Sequence, residues 1–340
     1  MHPKIFLSFA AMNNWQLIQH GFGLTIDGYR QSAFINRYLK PLLVKHTNRL
    51  KYRFSTSEKK KVLFYYPMYT VLACAQMYVA IKGRRLSNDE TKRLTLVGSM
   101  ATLCDDLIDE DGWTREEIFN LLSTDANEVR LAKKAQLLVS LNNELKLLGA
   151  FTEKYYSQLK IALEWQAISN KQLDPNITLA EIVHICREKN GHTSLMFATL
   201  IDENWTQAEL DFIYQSAIVG QLTNDSFDIY FDTQNGIKTY FNTADSITQV
   251  KQFFLEECKK LHEMVRATEN APTDKINTIR RMSVLHGFTL TAIDHLQETE
   301  NKYGAMVDWK TAARHEMVTD MWKNKNRFKT LKHIKALAKL

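Results

Sequence analysis

The sequence predicts an all-α protein, and three observations support this fold class. Glycine and proline, which interrupt helices, number only 12 and 5 in 340 residues, well below their ordinary usage. Leucine, alanine, lysine and glutamate, which favour helices, are plentiful. Runs that alternate apolar and polar residues, as half-buried strands do, are scarce. A chain of this length can bury one large core or two modest ones.

Turn-forming residues separate the helical patterns along the chain. They are Gly83, Asp111-Gly112, Asp174-Pro175, Asn235-Gly236, Ala271-Pro272 and Gly304. Between them, apolar residues at helical spacing predict these helices, by residue number: 13–20, 30–48, 59–82, 87–109, 115–122, 127–147, 151–170, 178–201, 206–232, 245–268, 273–302 and 308–338. We therefore expect an N-terminal segment (1–55) packed on one helical domain (56–316), followed by a basic C-terminal helix or tail (317–340).

The cysteines indicate the redox environment of the chain. Cys74, Cys104, Cys186 and Cys258 lie far apart and inside apolar helical runs, which argues against both a disulfide framework and a CxxC metal site. A reducing setting fits this pattern, and residues 1–12 form a poor signal peptide. We expect the protein to be cytoplasmic.

An uncharged run, 62–81, is long enough to cross a bilayer. It also contains Pro67, Gln76 and four tyrosines, and basic residues flank it at both ends. A helix buried on all sides in a large helical core has the same composition. We favour the buried core helix over the membrane span.

The basic charge is concentrated at the C-terminus. The formal net charge is +6, and residues 323–340 contain seven Lys or Arg and no acidic residue, which leaves a net charge of −1 on the rest of the chain. No nucleic-acid partner is therefore expected. Phe328, Leu331, Ile334 and Ala338 follow helical spacing there. The tail could touch an anionic membrane or close over a polyanionic ligand, but a terminal helix with one face docked on the body is the favoured interpretation.

Two acidic segments carry most of the functional information. Residues 105–109 read Asp-Asp-Leu-Ile-Asp, and residues 224–232 read Asn-Asp-Ser-Phe-Asp-Ile-Tyr-Phe-Asp. Helical spacing places Asp105 with Asp109 on one face, and Asn224 with Asp228 and Asp232 on another. Such clustering of hard oxygen ligands favours a cation, Mg²⁺ first of all. Both segments follow apolar stretches, so we expect them at the rim of an apolar cavity that takes a ligand with an apolar body and a polyanionic head.

The two acidic segments resemble the pair of metal motifs in class I terpene synthases. Two further segments agree with this resemblance: Arg187-Glu188-Lys189-Asn190-Gly191 is similar to that family's Arg-x-x-Asp-Gly element, and Arg314-His315, after Trp309, is similar to its C-terminal Arg-Tyr pair. The resemblance spans about residues 60–316. It implies a single-domain class I terpenoid synthase fold, with helices around a deep apolar active-site cavity.

The resemblance also implies an activity and a set of residue roles. A linear isoprenyl diphosphate, C15 or C20 favoured, would be ionised and its carbocation cyclised or quenched, with about three Mg²⁺ ions, or Mn²⁺, as cofactor. A homodimer is compatible with the family. The implied metal ligands are Asp105, Asp109, Asn224, Asp228 and Asp232. The implied diphosphate contacts are Arg187, Lys189 and Arg314, with Arg187 as sensor, Asn190 as linker and Gly191 as a helix break that presents its carbonyl. The candidate cavity aromatics are Phe64, Tyr65, Tyr69, Trp165, Phe197 and Trp309, although for each one taken singly ordinary core packing is the favoured interpretation.

The second acidic segment leaves other functions open. Asp228 and Gln221 make it similar to the second motif of trans-prenyl diphosphate synthases, and Asn190 and His315 depart from the terpene synthase pattern. The prenyl synthase acceptor-binding element Gly-Gly-Lys-x-x-Arg-Pro is absent from the sequence. The alternatives are a trans-prenyl diphosphate synthase and a non-catalytic, helical isoprenoid-diphosphate binding protein.

Overall fold

A computed structural model describes residues 14–124, 131–149, 151–304 and 307–340 of the chain. Every regular element in these ranges is helical, which confirms the all-α prediction. The helices are α1 (Asn14–Phe34, continued by Ile35–Leu39 and Lys40–Leu50), α2 (Thr56–Ala80), α3 (Asn88–Asp109), α4 (Arg115–Ser123), α5 (Lys133–Leu147), α6 (Glu153–Ile168), α7 (Leu179–Ala198), α8 (Gln207–Gln234), α9 (Tyr240–Thr243), α10 (Ile247–Ala267), α11 (Pro272–Tyr303), α12 (Arg314–Met317) and α13 (Asn324–Leu337).

The helices that carry the predicted motifs pack as neighbours in one core. Helix α7 lies between α6 and α8, and α8 also packs on α10 and α11. Helix α3 packs between α2 and α5, and α2 in turn contacts α7 and α11. Helices α3, α7 and α8 each begin with a capping box, in which a Ser or Thr cap is paired with Glu three residues on. These pairs are Ser87 with Glu90 for α3, Thr178 with Glu181 for α7, and Thr206 with Glu209 for α8.

The N-terminal segment forms one long helix rather than the two that were predicted. Three consecutive helical stretches fill residues 14–50 without a break, so the predicted gap at 21–29 is wrong. Helix α1 packs along α2 and α11. Asp27 accepts a 2.7 Å hydrogen bond from Arg281 of α11, and Gln31 donates a 3.0 Å bond to Thr95 of α3. These tertiary contacts offset the weak helix propensity of the glycines in this stretch.

Helix α2 contains the long uncharged run. It is the one helix in the described ranges that is long and apolar enough to cross a membrane by length and composition. A core helix has the same properties, and α2 buries Val62, Ala75 and Tyr78 in the protein interior. The cysteines at 74, 104, 186 and 258 are likewise buried, and all four are free thiols.

The C-terminal region is not the single helix 308–338 that was predicted. It contains the short α12 and then α13, and the backbone N–H of Trp322 bonds to the carboxylate of Asp320 in the turn between them at 2.9 Å. Helix α13 docks on α11, burying Ile334 and Ala338. Phe328 and Leu331, which were predicted on the same apolar face, are instead exposed.

Candidate functional site

The two acidic segments lie at the C-terminal ends of α3 and α8, as the sequence predicts. Asp105 and Asp109 occupy the last turns of α3, and Asn224, Asp228 and Asp232 follow one another along the last turns of α8. Carboxylates are unfavourable at this end of a helix, because the carbonyl groups there carry partial negative charge. Each segment therefore needs positive charge from elsewhere.

Tyr66 of α2 is close to the first acidic segment and within electrostatic reach of the second. Its hydroxyl donates to Asp105 Oδ2 at 3.5 Å. The negative charge of Asp105 is the largest cause that raises the pKa of Tyr66 far above its ordinary value, followed by burial, and the charge of Asp228 adds to the same effect. One phenol is thus within electrostatic reach of a carboxylate from each segment.

Lys189 of α7 is the cation that the two segments share. Burial raises the pKa of Asp105 to about 6, the charge of Lys189 opposes this rise, and Asp109 adds to it. Burial also raises the pKa of Asp225 well above its ordinary value, and Lys189 again opposes the rise. The Lys189 ammonium group donates a 3.3 Å hydrogen bond to Ser169 Oγ. Lys189, in the middle of α7, is therefore within electrostatic reach of a carboxylate near the end of α3 and of one near the end of α8.

The carboxylates of α8 repel one another. Burial and then the charge of Asp228 raise the pKa of Asp232 to about 7. Burial raises the pKa of Asp228, against a 3.1 Å hydrogen bond that the Asn224 amide donates to it. Such crowding of oxygens is unfavourable unless protons or a cation neutralise it.

Asp106 and Asp225 are buried beside the predicted ligands, and the sequence reasoning did not select either as a functional residue. Asp106 receives a 3.5 Å bond from Lys61, and Asp225 a 2.6 Å bond from the Gln221 amide. In both residues the second carboxylate oxygen, Oδ2, is buried and has no hydrogen-bond partner among the described residues. Their position in the sequence could have identified them as candidates, because each directly follows a predicted metal ligand.

Arg187 does not point to the acidic segments. Its guanidinium donates to Gln215 at 2.9 Å and to Glu257 at 3.1 Å, and the Gln215 amide also bonds to Glu257. Asn190, three residues on, donates its side-chain amide to the Cys186 carbonyl at 2.9 Å. Of the basic residues in this motif, the structure brings Lys189 rather than Arg187 to the carboxylates.

Gly191 lies inside an unbroken helix, so the expected helix break at this residue is wrong. The reason for a glycine is steric. A Cβ atom at this position would lie 2.3 Å from Cε2 of Tyr214 on α8. The close approach of α7 and α8 therefore requires the absence of a side chain here.

Arg314 of α12 lies beside the second acidic segment. Its guanidinium sits over the ring of Phe231 at 5.4 Å from the centroid. Phe231 directly precedes Asp232 and is 49% exposed. The cation is thus held near the C-terminal turn of α8 by a cation–π contact, whereas Trp309 is buried in the core.

The predicted aromatic residues divide into two groups. Phe197 and Trp309 are core residues, and Trp165 packs edge-on to His184 with centroids 5.1 Å apart. Those on α2, namely Phe64, Tyr65 and Tyr69, are 45%, 59% and 42% exposed.

Tyr69 of α2 is partly exposed, and its hydroxyl lies close to α8. Burial is the largest cause that raises its pKa, with Cys74, Asp225 and Tyr66 adding to it. A Cβ built on Gly220 of α8 would lie 2.9 Å from its hydroxyl oxygen. The Tyr69 hydroxyl therefore lies against α8, within electrostatic reach of Asp225.

No group of three or more His, Cys, Asp or Glu side chains in the described ranges is arranged to hold a metal ion by itself. Magnesium in phosphate-handling proteins is commonly held by one or two carboxylates, with phosphate oxygens and water completing the coordination. Comparison of the chain with family models, with curated proteins and with solved structures finds no match.

Proposed function

We propose that the protein is a Mg²⁺-dependent class I terpene synthase that ionises a linear isoprenyl diphosphate and cyclises or quenches the resulting carbocation. One observation carries the proposal: the acidic ends of α3 and α8 share Tyr66 and Lys189 as neighbours. Two oxygen-rich helix ends around a shared cation suit a small polyanion held between them. A diphosphate group, bound through Mg²⁺, has the charge that such a set of groups would hold.

The donor chemistry of the site fits magnesium. The oxygens are hard ligands, the pKa of Asp105 and of Asp232 is raised by crowding and burial, and Asp106 and Asp225 each keep one oxygen without a partner. Asp105 with Asp109 would hold Mg²⁺ on one side, and Asn224, Asp228 and Asp232 on the other. When bound, Mg²⁺ would neutralise and orient the diphosphate leaving group.

The residues of the chain have separate tasks in this reaction. Lys189 and Arg314 place positive charge at the two ends of the diphosphate site, and the Tyr66 hydroxyl is a hydrogen-bond donor toward the same space. Heterolysis of the allylic C–O bond moves its electron pair to the diphosphate oxygen and leaves a carbocation. Lys189 and Arg314 stabilise the charge that develops on the leaving group.

The carbocation needs walls that exclude water. Tyr69 lies within electrostatic reach of Asp225, and Phe64 and Tyr65 precede it on the same helix. An aromatic face in contact with a cation contributes about 0.5–2 kcal/mol. These residues would line the path of the cation after the C–O bond breaks.

Diphosphate release from farnesyl diphosphate tests the activity. We expect release that depends on Mg²⁺ and falls by at least about a hundredfold in Asp105→Asn. Asp89→Asn is the matched control, because Asp89 is an exposed residue in the first turn of the same helix. Release that persists in Asp105→Asn, or that falls equally in Asp89→Asn, contradicts the assignment.

The runner-up is a trans-prenyl diphosphate synthase. The observation that favours it is the Gln221 amide bonded at 2.6 Å to Asp225, ahead of Asp228, in the part of α8 that resembles that family's second motif. Radiolabelled farnesyl diphosphate with and without isopentenyl diphosphate separates the two enzymes. A hydrocarbon or alcohol formed without isopentenyl diphosphate supports the cyclase, and a longer diphosphate formed only with it supports the synthase. Binding of the diphosphate without any release identifies a non-catalytic binding protein.

A further inference from the structure

The outward side of the C-terminal region exposes several large apolar side chains close together. Trp322 is 82% exposed, Phe328 67% and Leu331 42%. Single exposed apolar residues are common on proteins and need no explanation. Three in one short segment, at the outer side of a docked helix, form an unusual local patch.

Contacts and helical spacing place these side chains side by side. The Arg327 guanidinium lies over the Trp322 ring, 5.3 Å from its centroid. Arg327 and Phe328 precede Leu331 in α13 by four and three residues. Both side chains are therefore neighbours of Leu331 on the helix surface. We name Trp322, Arg327, Phe328 and Leu331 the outer face of α13.

The opposite side of α13 is fully occupied by the body of the protein. Ile334 and Ala338 are buried. The hydroxyls of Thr330 and Thr291 are hydrogen-bonded at 2.7 Å, and His333 contacts Asp294 at 2.7 Å. The orientation of α13 is therefore fixed, and its outer face points away from the protein.

Positive charge surrounds the outer face. Lys325 and Lys329 are paired with Glu298 of α11. Lys332 and Lys339 are exposed and form no ion pair with any residue that the structure describes. Residues 323–340 contain no acidic residue. The surface is thus apolar at its centre and cationic at its edge.

We propose that the outer face of α13 binds the surface of a membrane that contains anionic lipids. Lysine side chains complement the negative surface potential of such lipids, and Trp322, Phe328 and Leu331 provide apolar groups that can enter the interface between headgroups and acyl chains. A nucleic acid also complements the charge, but it offers no apolar phase for Leu331 and Phe328. The surface is independent of the acidic site, so the proposal stands or falls separately from the proposed enzyme activity.

Vesicle flotation tests the proposal with the full-length protein. We expect it to float with vesicles of phosphatidylcholine mixed with phosphatidylglycerol, and far less with phosphatidylcholine alone. The double variant Phe328→Gln/Leu331→Gln should lower the partition coefficient by about tenfold to a hundredfold, from the apolar area that no longer enters the interface. Leu147→Gln is the matched control, because Leu147 is 83% exposed at the end of α5.

Charge and fluorescence give a second measurement. Lys332→Glu should weaken binding to the anionic vesicles by about fivefold, and added salt should weaken binding of the parent protein. Trp322 fluorescence should shift to the blue on binding, a change absent from Trp322→Phe. Circular dichroism checks that each variant is folded.

Four outcomes overturn the proposal: no flotation with anionic vesicles, equal flotation with phosphatidylcholine alone, binding of the double variant equal to that of the parent, or binding to a labelled DNA duplex without binding to vesicles.

Discussion

Gly191→Ala is the most direct test of how α7 and α8 pack. The added Cβ would lie 2.3 Å from Cε2 of Tyr214 and 2.7 Å from its Cζ, well inside contact distance. Alanine in a helix interior gains about 1 kcal/mol over glycine. Forcing an extra carbon into a packed contact costs about 1–3 kcal/mol. The ring must also leave its edge-on contact with His192, at 5.7 Å between centroids, and such aromatic pairs contribute about 0.5–1.5 kcal/mol.

We therefore expect Gly191→Ala to lower the free energy of unfolding by about 1–2 kcal/mol. The measurement is the urea midpoint, read by circular dichroism at constant m-value. Gly28→Ala is the matched control, because Gly28 is also helical and its added Cβ would meet only Leu72 Cδ1 at an ordinary 3.8 Å. That variant should be neutral or stabilised by up to about 1 kcal/mol.

A double-mutant cycle isolates the steric contact. In a Tyr214→Ala background the ring is gone, so Gly191→Ala should become stabilising by about 1 kcal/mol through helix propensity alone. The sign of the Gly191→Ala effect should thus reverse between the two backgrounds. A neutral or stabilising effect of Gly191→Ala in the parent protein refutes the steric reason for this glycine.

Three further outcomes are expected. Because the pKa of Asp105 is raised to about 6 and that of Asp232 to about 7, these carboxyls stabilise the metal-free fold at acid pH, and this stabilisation is lost as the pH rises through those values. Mg²⁺ should therefore raise the melting temperature more at about pH 8 than at about pH 5.5, and an equal rise at both contradicts the metal site. Burial lowers the pKa of His262 to about 3, so the unfolded chain binds this proton more tightly and stability falls as the pH drops below about 6.5. Between about pH 7.5 and pH 5, the urea midpoint should therefore fall less in His262→Phe than in the parent protein. An equal fall in both proteins excludes this role of His262. Gly287→Ala, whose Cβ would lie 2.5 Å from Ile334 Cγ1, should cost about 1–3 kcal/mol and speed proteolysis of α13; an unchanged cleavage rate speaks against this docking contact.

Elements with strong local signals were predicted well. Helix α3 was predicted at 87–109 and lies at Asn88–Asp109, because Ser87 and Glu90 form a capping box that depends only on neighbouring residues. Helix α8 begins with the corresponding pair at Thr206 and Glu209.

Elements whose ends depend on distant contacts were not predicted. Residues 21–29 were predicted to lie between two helices, but α1 continues through them and packs on α2 and α11. The C-terminal helix was predicted as one piece, although the chain turns at Asp320 before α13 docks on α11.

The sequence by itself determined which carboxylates share a helix face, because the spacing of residues 105 and 109, or 224, 228 and 232, fixes their relative direction on any α-helix. Only the tertiary structure decided which basic side chain lies near these carboxylates. Arg187 and Lys189 are two residues apart and so point to different sides of α7. The rotation of α7 turns Arg187 to Glu257 and leaves Lys189 within electrostatic reach of Asp105 and Asp225. That rotation is set by long-range contacts such as Gly191 against Tyr214, which local sequence patterns do not encode.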